Sequence, residues 1–452
     1  MYADATQPRI LSAHQRKNIA AKPFFSRGVI WMTVLLAAIC FEGLGRTILL
    51  QVPSLVFYLA KDVVLLAAFV FIGVKPDVVA LVKSLYGKFS VFLGLSVIWT
   101  VLQVFNPEQP SFLLGALGLR SYWVWWLAPV LIASALRGSD QRNRAAVVLG
   151  AFAIFIALYA TLQFAAPPEA EINSYALYDG EAIMKTAYVF ATGRTRVSGT
   201  FSYLSGFADF AVAAPVMLLS VGLDAKLHTR VITIAGAVLL ASTVAMAGSR
   251  NGIILCSVGL VVLLFRSGFI RSRTGWWTLV AIALAAAFSF YRAEEAVEGM
   301  VGRFEGDDTS DRIERELRIL PPLALARSPY PLFGLGTGMQ QNARFQFGVP
   351  TMYGLEEEPP RLLVELGAIG FLLFWTARLG ILIGLVRASR ILKRAGKMGA
   401  SGGATALAVL TMFNRIVFDH VWQSLFFTAL GITLSATLDA TQQLKKTAAK
   451  AA

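Results

Sequence analysis

Residues 145–165 read AAVVLGAFAIFIALYATLQFA, 21 positions without a charged side chain, entered from Arg142 and Arg144 and left at Pro167-Pro168. A helix of that length can cross the roughly 30 Å of hydrocarbon in a bilayer. Nothing in the stretch alternates with the period of two that a membrane barrel strand needs. Working outward, comparable apolar runs recur near residues 29–50, 52–73, 89–105, 112–135, 203–221, 231–247, 252–265, 276–291, 361–386, 402–418 and 421–437. At 56% hydrophobic and 15% charged residues, with a mean hydropathy of +0.63 over 452 residues, the chain is too apolar for an ordinary soluble protein. The expected fold class is an all-α polytopic membrane protein with about twelve transmembrane helices.

A net charge of +14 raises the question of nucleic acid, and the location of the basic residues answers it. With the amino terminus in the cytoplasm, the inner segments carry 24 of the 41 Lys and Arg, against only Asp4, Asp77, Asp140, Asp224 and Asp439. That is the bias of the positive-inside rule, so both termini are expected in the cytoplasm and no nucleic-acid partner is expected. Residues 1–28 then form an amino-terminal tail before an uncleaved first span, and residues 438–452 a carboxy-terminal tail. Between them lie a bundle of nine spans over 29–291 and three further spans over 361–437. Cys40 and Cys256 fall inside apolar spans and read as buried thiols, leaving no disulfide framework.

Two segments on the outer side are too long to be turns, residues 166–202 and residues 292–360. The first ends in Gly193-Arg194-Thr195-Arg196-Val197-Ser198-Gly199-Thr200-Phe201. In the second, Asp308-Thr309-Ser310 can cap a helix with Ile313, Leu317 and Leu320 on one face and Arg312 among i, i+4 charge pairs on the other. Pro331-Leu332-Phe333-Gly334-Leu335-Gly336-Thr337-Gly338 follows; its GxGxG pattern is weak evidence for phosphate binding, because turns need glycine too. Charges inside apolar runs say more, since each costs several kcal/mol unless paired or hydrated. Lys61 and Asp62 read as a pair facing the bundle interior; Arg120 reads equally well as a structural partner or as a lipid-phosphate contact; Arg378 lies inside the tenth run. Arg196 and Arg250, each beside glycines at the same side of the membrane, suit a diphosphate, which a planar guanidinium grips with two parallel hydrogen bonds.

In their order, these pieces resemble the O-antigen ligase and O-antigen polymerase superfamily of the bacterial envelope: Arg196-Val197-Ser198-Gly199-Thr200-Phe201, Gly248-Ser249-Arg250-Asn251-Gly252, the Arg312 helix running into Pro331–Gly336, and Glu365-Leu366-Gly367-Ala368-Ile369-Gly370. The resemblance implies a GT-C-like, metal-independent inverting glycosyltransferase of the inner membrane. Such enzymes work at the periplasmic face, take a glycan from undecaprenyl diphosphate and need no cofactor. It also implies that Arg196 and Arg250 bind the donor diphosphate, with Arg312 nearby; Arg120, Arg194 and Arg361 are, by their positions in the sequence, the further candidate substrate contacts. Ligases of this family place a histidine nine residues before the glutamate that here is Glu365, and this chain has Glu356 there. A polymerase of exopolysaccharide, capsule or O-antigen repeats is therefore favoured over a ligase acting on lipid A core. Partners would be the lipid-linked donor, a glycan acceptor, the bilayer, a chain-length regulator and a flippase.

The acidic run Glu356-Glu357-Glu358 is the expected general base, with Glu356 first and Glu358, nearest the span, second. Arg361 and Glu365, four apart, are expected to pair in support of it. Asp307-Asp308 as a divalent-cation site is the less favoured alternative. A non-enzymatic flippase remains open as well, although the 69-residue outer loop suits surface chemistry better. The orientation is directly testable. A cysteine introduced between residues 295 and 355 should react with an impermeant maleimide on intact spheroplasts, and one between 387 and 401 should not; the opposite pattern reverses the topology.

Overall fold

The computed structural model describes residues 26–49, 52, 54–175, 184, 185, 189, 190, 193–269, 276, 280, 332–341, 344, 347, 348 and 358–451. The regular structure of the described residues is helical apart from a two-residue antiparallel pair, β1 (Ser174–Tyr175) with β2 (Met184–Lys185), and an isolated bridge between Val189 and Thr195. The helices are α1 (Arg27–Cys40), α2 (Glu42–Ile48), α3 (Ser54–Phe71), α4 (Pro76–Tyr86), α5 (Phe89–Val104), α6 (Phe112–Trp123), α7 (Ala128–Ala135), α8 (Ser139–Ala165), α9 (Leu204–Gly222), α10 (Leu227–Thr243), α11 (Arg250–Ser267), α12 (Glu358–Arg394), α13 (Met398–Phe413) and α14 (His420–Ala451).

By length and composition, seven described helical segments can cross a membrane, or nine if each bent pair counts as one span. The chain is an all-α, multi-pass membrane protein. Several expected boundaries move. The first span breaks at Phe41, where α1 and α2 meet at 67°, and the second is followed by α4 at a bend of 119°. Helix α12 continues through the expected inner loop to Arg394, α13 stops at Phe413, and α14 carries the last span on to Ala451. The expected ninth span, beyond Trp276 and Val280, lies outside the described residues, as do the 308–320 helix, Asp307 and Asp308.

Helix α9 packs against α8, α10, α11, α13 and α14. Its apolar window is 78% buried against 44% for that of α8, so α9 is an inner helix and α8 turns much of its surface outward. Outward-facing Phe155, Leu158 and Leu162 on α8 fit a lipid-facing stripe.

Several charges inside the bundle are met in pairs. Lys61 donates to Glu42 Oε2 at 2.7 Å, whereas Asp62 takes Arg120 and the Trp125 indole N–H, at 2.8 Å. The expected Lys61–Asp62 pair is therefore corrected: both face inward, but consecutive helical residues project about 100° apart and reach different neighbours. Glu358 and Arg378, each 2% exposed, pair at 2.7 Å; Glu358 Oε2 also accepts from Val417 N at 2.8 Å, and Arg378 Nε donates to Thr411 O at 2.7 Å. Removing one member of a buried pair strands the other, at a cost of about 3 kcal/mol. Arg378→Met should accordingly lower the melting temperature of the detergent-solubilised protein, and adding Glu358→Gln should recover most of the loss. Equal melting temperatures for wild type and Arg378→Met would show that the pair contributes nothing.

Candidate functional site

The two arginine motifs interlock through the main chain. Val197 N donates to Met246 O at 3.0 Å, and the Arg196 guanidinium donates from Nε to Ala247 O at 3.2 Å and from Nη2 to Gly248 O at 3.3 Å. Gly248 has φ +63°, and a Cβ there would lie 2.5 Å from Arg196 Nε and 2.9 Å from the Phe190 ring. Glycine is thus required twice over, for its backbone and for the space the guanidinium occupies. Ser249 then caps α11, its Oγ accepting from Gly252 N at 3.1 Å, so Arg250 is the first residue of a capped helix. Helix N-termini favour anions, which adds to the positive charge of Arg250. Arg194 and Arg196 are both half-buried, in a segment tied down by Gly199 N to Gln163 Oε1 at 2.8 Å and Leu44 N to Thr200 O at 3.0 Å.

The glycine-rich stretch is not a surface turn. Helix α12 breaks at Gly367, with φ +67° and ψ −178°, and the main-chain groups freed there are taken up by residues 332–341. Leu335 N donates to Val364 O at 2.8 Å and Gly336 N to Glu365 O at 3.1 Å, while Trp99 Nε1 donates to Leu366 O at 2.9 Å. On its other side the stretch is held by Gln103, Asn106 and Gln109, which donate to Phe333 O, Gly334 O and Thr337 O at 2.5, 3.1 and 3.0 Å. Glu365 is fully buried beside this break. Its Oε2 accepts from Tyr122 OH at 2.8 Å and its Oε1 from Gln340 N at 2.7 Å. The direct partners of Glu365 are thus neutral donors and not the expected Arg361, which acts on Glu365 only through its charge and lies 5.2 Å over the Phe418 ring.

Of the other expected site residues, Arg120 pairs with Asp62 and stacks 4.4 Å over Tyr58. Glu358 is engaged by Arg378 and Val417 N as above, so both its oxygens have partners. Glu356, Glu357 and Arg312 lie outside the described residues.

The structure adds a polar group that the sequence reading passed over. His420 opens α14, and its Nε2 lies 2.5 Å from the hydroxyl of Tyr58 on α3. Asp419 caps the same helix, accepting from Val421 N and Trp422 N, each at 3.1 Å, and its carboxylate faces that of Asp209 on α9, with Arg415 close by. This turn is linked to both arginine motifs through intervening residues. Ser202, just past the Arg196 motif, accepts from Arg46 at 3.0 Å and donates to Glu42 at 3.5 Å, and Glu42 holds Lys61, which lies 5.7 Å from the Tyr58 ring. Ala208, beside Asp209, packs on Gly252. A His-Asp pair between two apolar runs was the available sequence signal.

Residues 235–375 match the family model described as O-antigen ligase. The match supports kinship of that segment with the O-antigen ligase and polymerase superfamily, whose members are glycosyltransferase-like enzymes acting on lipid-linked glycans in a membrane. It includes Arg250, the glycine-rich stretch and Glu365, and leaves out Arg196, Tyr58 and His420. Curated proteins yield no match.

The close approach of Arg196 to Gly248 has a mutational consequence. Gly248→Ala forces a left-handed alanine, costing about 1 kcal/mol, and drives a methyl into the guanidinium. It should reduce glycan transfer nearly as far as Arg196→Ala does, measured by product laddering in membranes. Full activity in Gly248→Ala would show that the seat of Arg196 is irrelevant.

Proposed function

We propose that this protein is a metal-independent, inverting polymerase that joins undecaprenyl-diphosphate-linked oligosaccharide repeats of an exopolysaccharide, capsule or O-antigen at the periplasmic face of the inner membrane. The observation that carries this reading is the interlock of the Arg196 and Gly248–Gly252 motifs, which puts two guanidinium-bearing segments side by side at the start of a capped helix. In the reaction, an acceptor hydroxyl oxygen attacks the anomeric carbon of the donor. The bond to the diphosphate breaks with its electron pair, and the configuration inverts.

Diphosphate is already a good leaving group, so the protein must chiefly neutralise charge as it develops and hold the two sugars in line. Arg196 and Arg250 supply the positive charge. The two carbonyl contacts of Arg196 fix the plane of its guanidinium before substrate arrives, which lowers the cost of ordering it on binding. Arg194 on the same segment and Arg361 at the start of α12 are the further contacts proposed for the donor's phosphates and sugars, with Arg312 joining from the outer loop.

The second reading, a ligase that transfers the glycan to lipid A core, is favoured by the description of the matching family. It is disfavoured by Glu356 at the position where ligases of this family carry histidine. The two differ in acceptor and share the donor site.

Arg196→Ala and Arg250→Ala should each abolish transfer from a lipid-linked repeat in proteoliposomes without loss of membrane insertion. Lysine at either position should restore activity only in part, because it keeps the charge and loses the fork. Wild-type product levels from both alanine variants would overturn the diphosphate site. Intact donor crossing the bilayer without chain growth would identify a flippase instead.

A further inference from the structure

A hydroxyl attacking the anomeric carbon must surrender its proton, and of the acidic run only Glu358 is described, with both oxygens already held by Arg378 and Val417 N. We infer that Tyr58 and His420 form the proton-accepting pair of this site, an assignment that rests on the glycosyl-transfer reading above.

Four observations carry it. The Tyr58 hydroxyl and His420 Nε2 are 2.5 Å apart, a contact between α3 and α14 that joins residues 362 positions apart. The rings are set edge to face at 5.1 Å and an interplanar angle of 85°. The arrangement thus holds a phenol within hydrogen-bond distance of an imidazole nitrogen, and in the tautomer with its proton on Nδ1 the hydroxyl donates to the Nε2 lone pair. Next, the other side of the imidazole is provided for. Gln423, one turn along α14, lies beside it, with its amide nitrogen tied to Ser121 O at 2.6 Å. The Gln423 side chain is fully buried, and its Oε1 has no hydrogen-bond partner among the described residues. A buried, unmet carbonyl oxygen beside the imidazole favours the tautomer that carries its proton on Nδ1 and leaves Nε2 able to accept.

The pair is also partly exposed and is linked to the arginine motifs through intervening residues. Tyr58 and His420 are half-buried rather than sealed, unlike Tyr122 and Glu365, which lie fully inside. They sit one contact beyond Lys61 and Glu42 from Ser202, and one residue from Asp419, whose partner Asp209 adjoins the Arg250 motif's packing contact. Finally, the phenol is held rigidly. Arg120 covers its ring at 4.4 Å and is itself pinned by Asp62, which Trp125 holds in turn.

The step balances as follows. As the acceptor oxygen bonds to the anomeric carbon, its proton passes to the Tyr58 oxygen and the Tyr58 proton passes to His420 Nε2. The bond from the anomeric carbon to the donor oxygen breaks, and its electron pair leaves with the diphosphate. The imidazolium later returns its proton to water or to the released diphosphate. Tyr58 is the residue that touches the acceptor, and His420 acts through it.

The test uses the full-length protein in nanodiscs, with a lipid-linked repeat as substrate under single-turnover conditions and undecaprenyl diphosphate alone as the binding probe. Tyr58→Phe removes the hydroxyl. His420→Gln keeps an acceptor for it and cannot take a proton, so a merely structural hydrogen bond would survive. Each should lower the rate of transfer at least about a hundredfold, and the double variant should be no slower than either single one, as for groups that act as a unit. Undecaprenyl diphosphate should bind to both variants as to wild type. The wild-type rate should fall along a curve as deuterium oxide replaces water, because two protons move, and the residual rate of His420→Gln should fall along a line.

A smaller loss in either variant, a linear wild-type dependence, or loss of probe binding together with rate overturns the pair while leaving the polymerase reading standing. Wild-type protein that binds the probe and transfers nothing removes that reading, and the inference with it.

Discussion

A charge carried into an apolar bundle must find an opposite charge or a fixed dipole, because neither lipid nor packed side chains can solvate it. That constraint organises the inner surfaces of this protein. Asp62 with Arg120, and Arg142 with Asp439 at 2.7 Å, bridge helices that are distant in sequence; Glu42 with Lys61 ties the successive helices α2 and α3; and Glu358 with Arg378 joins the two arms of the broken α12 and holds them to Val417 N and Thr411 O. Because each partner would be stranded without the other, these pairs select one arrangement of helices that are otherwise much alike in greasiness. The neighbouring polar side chains of Ser202, Tyr58, His420 and Asp419 are then placed as a consequence of that arrangement.

The same constraint acts on the main chain. A helix that breaks inside a bundle exposes carbonyls that must be met within the protein. At Gly367 they are met by the amides of Leu335 and Gly336 and by the Trp99 indole, while side chains at the end of α5 grip the loop from behind. The result places Gln340 N and Tyr122 against Glu365 and brings α5, α6, α12 and the glycine stretch into one unit. The candidate site therefore rests on two fixed bodies: this unit, and the crossing of residues 193–202 over the ends of α8 and α11.

The sequence showed a good deal of this. Apolar runs of membrane length located eleven of the described helical regions, since length and absence of charge are local properties. The two arginine motifs were legible because glycines beside a charge mark places where the backbone turns closely, and the structure does bring them together. Partners were not legible. Lys61 and Asp62 are adjacent in sequence and looked like a pair, yet the geometry of a helix sends them to Glu42 and Arg120. The glycine stretch looked like an outer turn because nothing local says that α12 will break at Gly367 and need its amides. His420 carries little local signal, and its meeting with Tyr58 depends on α3 and α14 closing 362 residues of chain.

The break in α12 also bears on the order in which the chain can be completed. Ribosomal synthesis delivers Trp99 first, then Gln103, Asn106 and Tyr122, then the glycine stretch, and only afterwards residues 364–366 with their open carbonyls. Every donor that closes the break is thus already synthesised when α12 leaves the translocon, so its exposed backbone need wait for nothing still to be made. Reversing that order, by moving α12 ahead of α5 in a rearranged chain, would send an unsatisfied kink into lipid before its partners existed. The native order avoids that interval entirely.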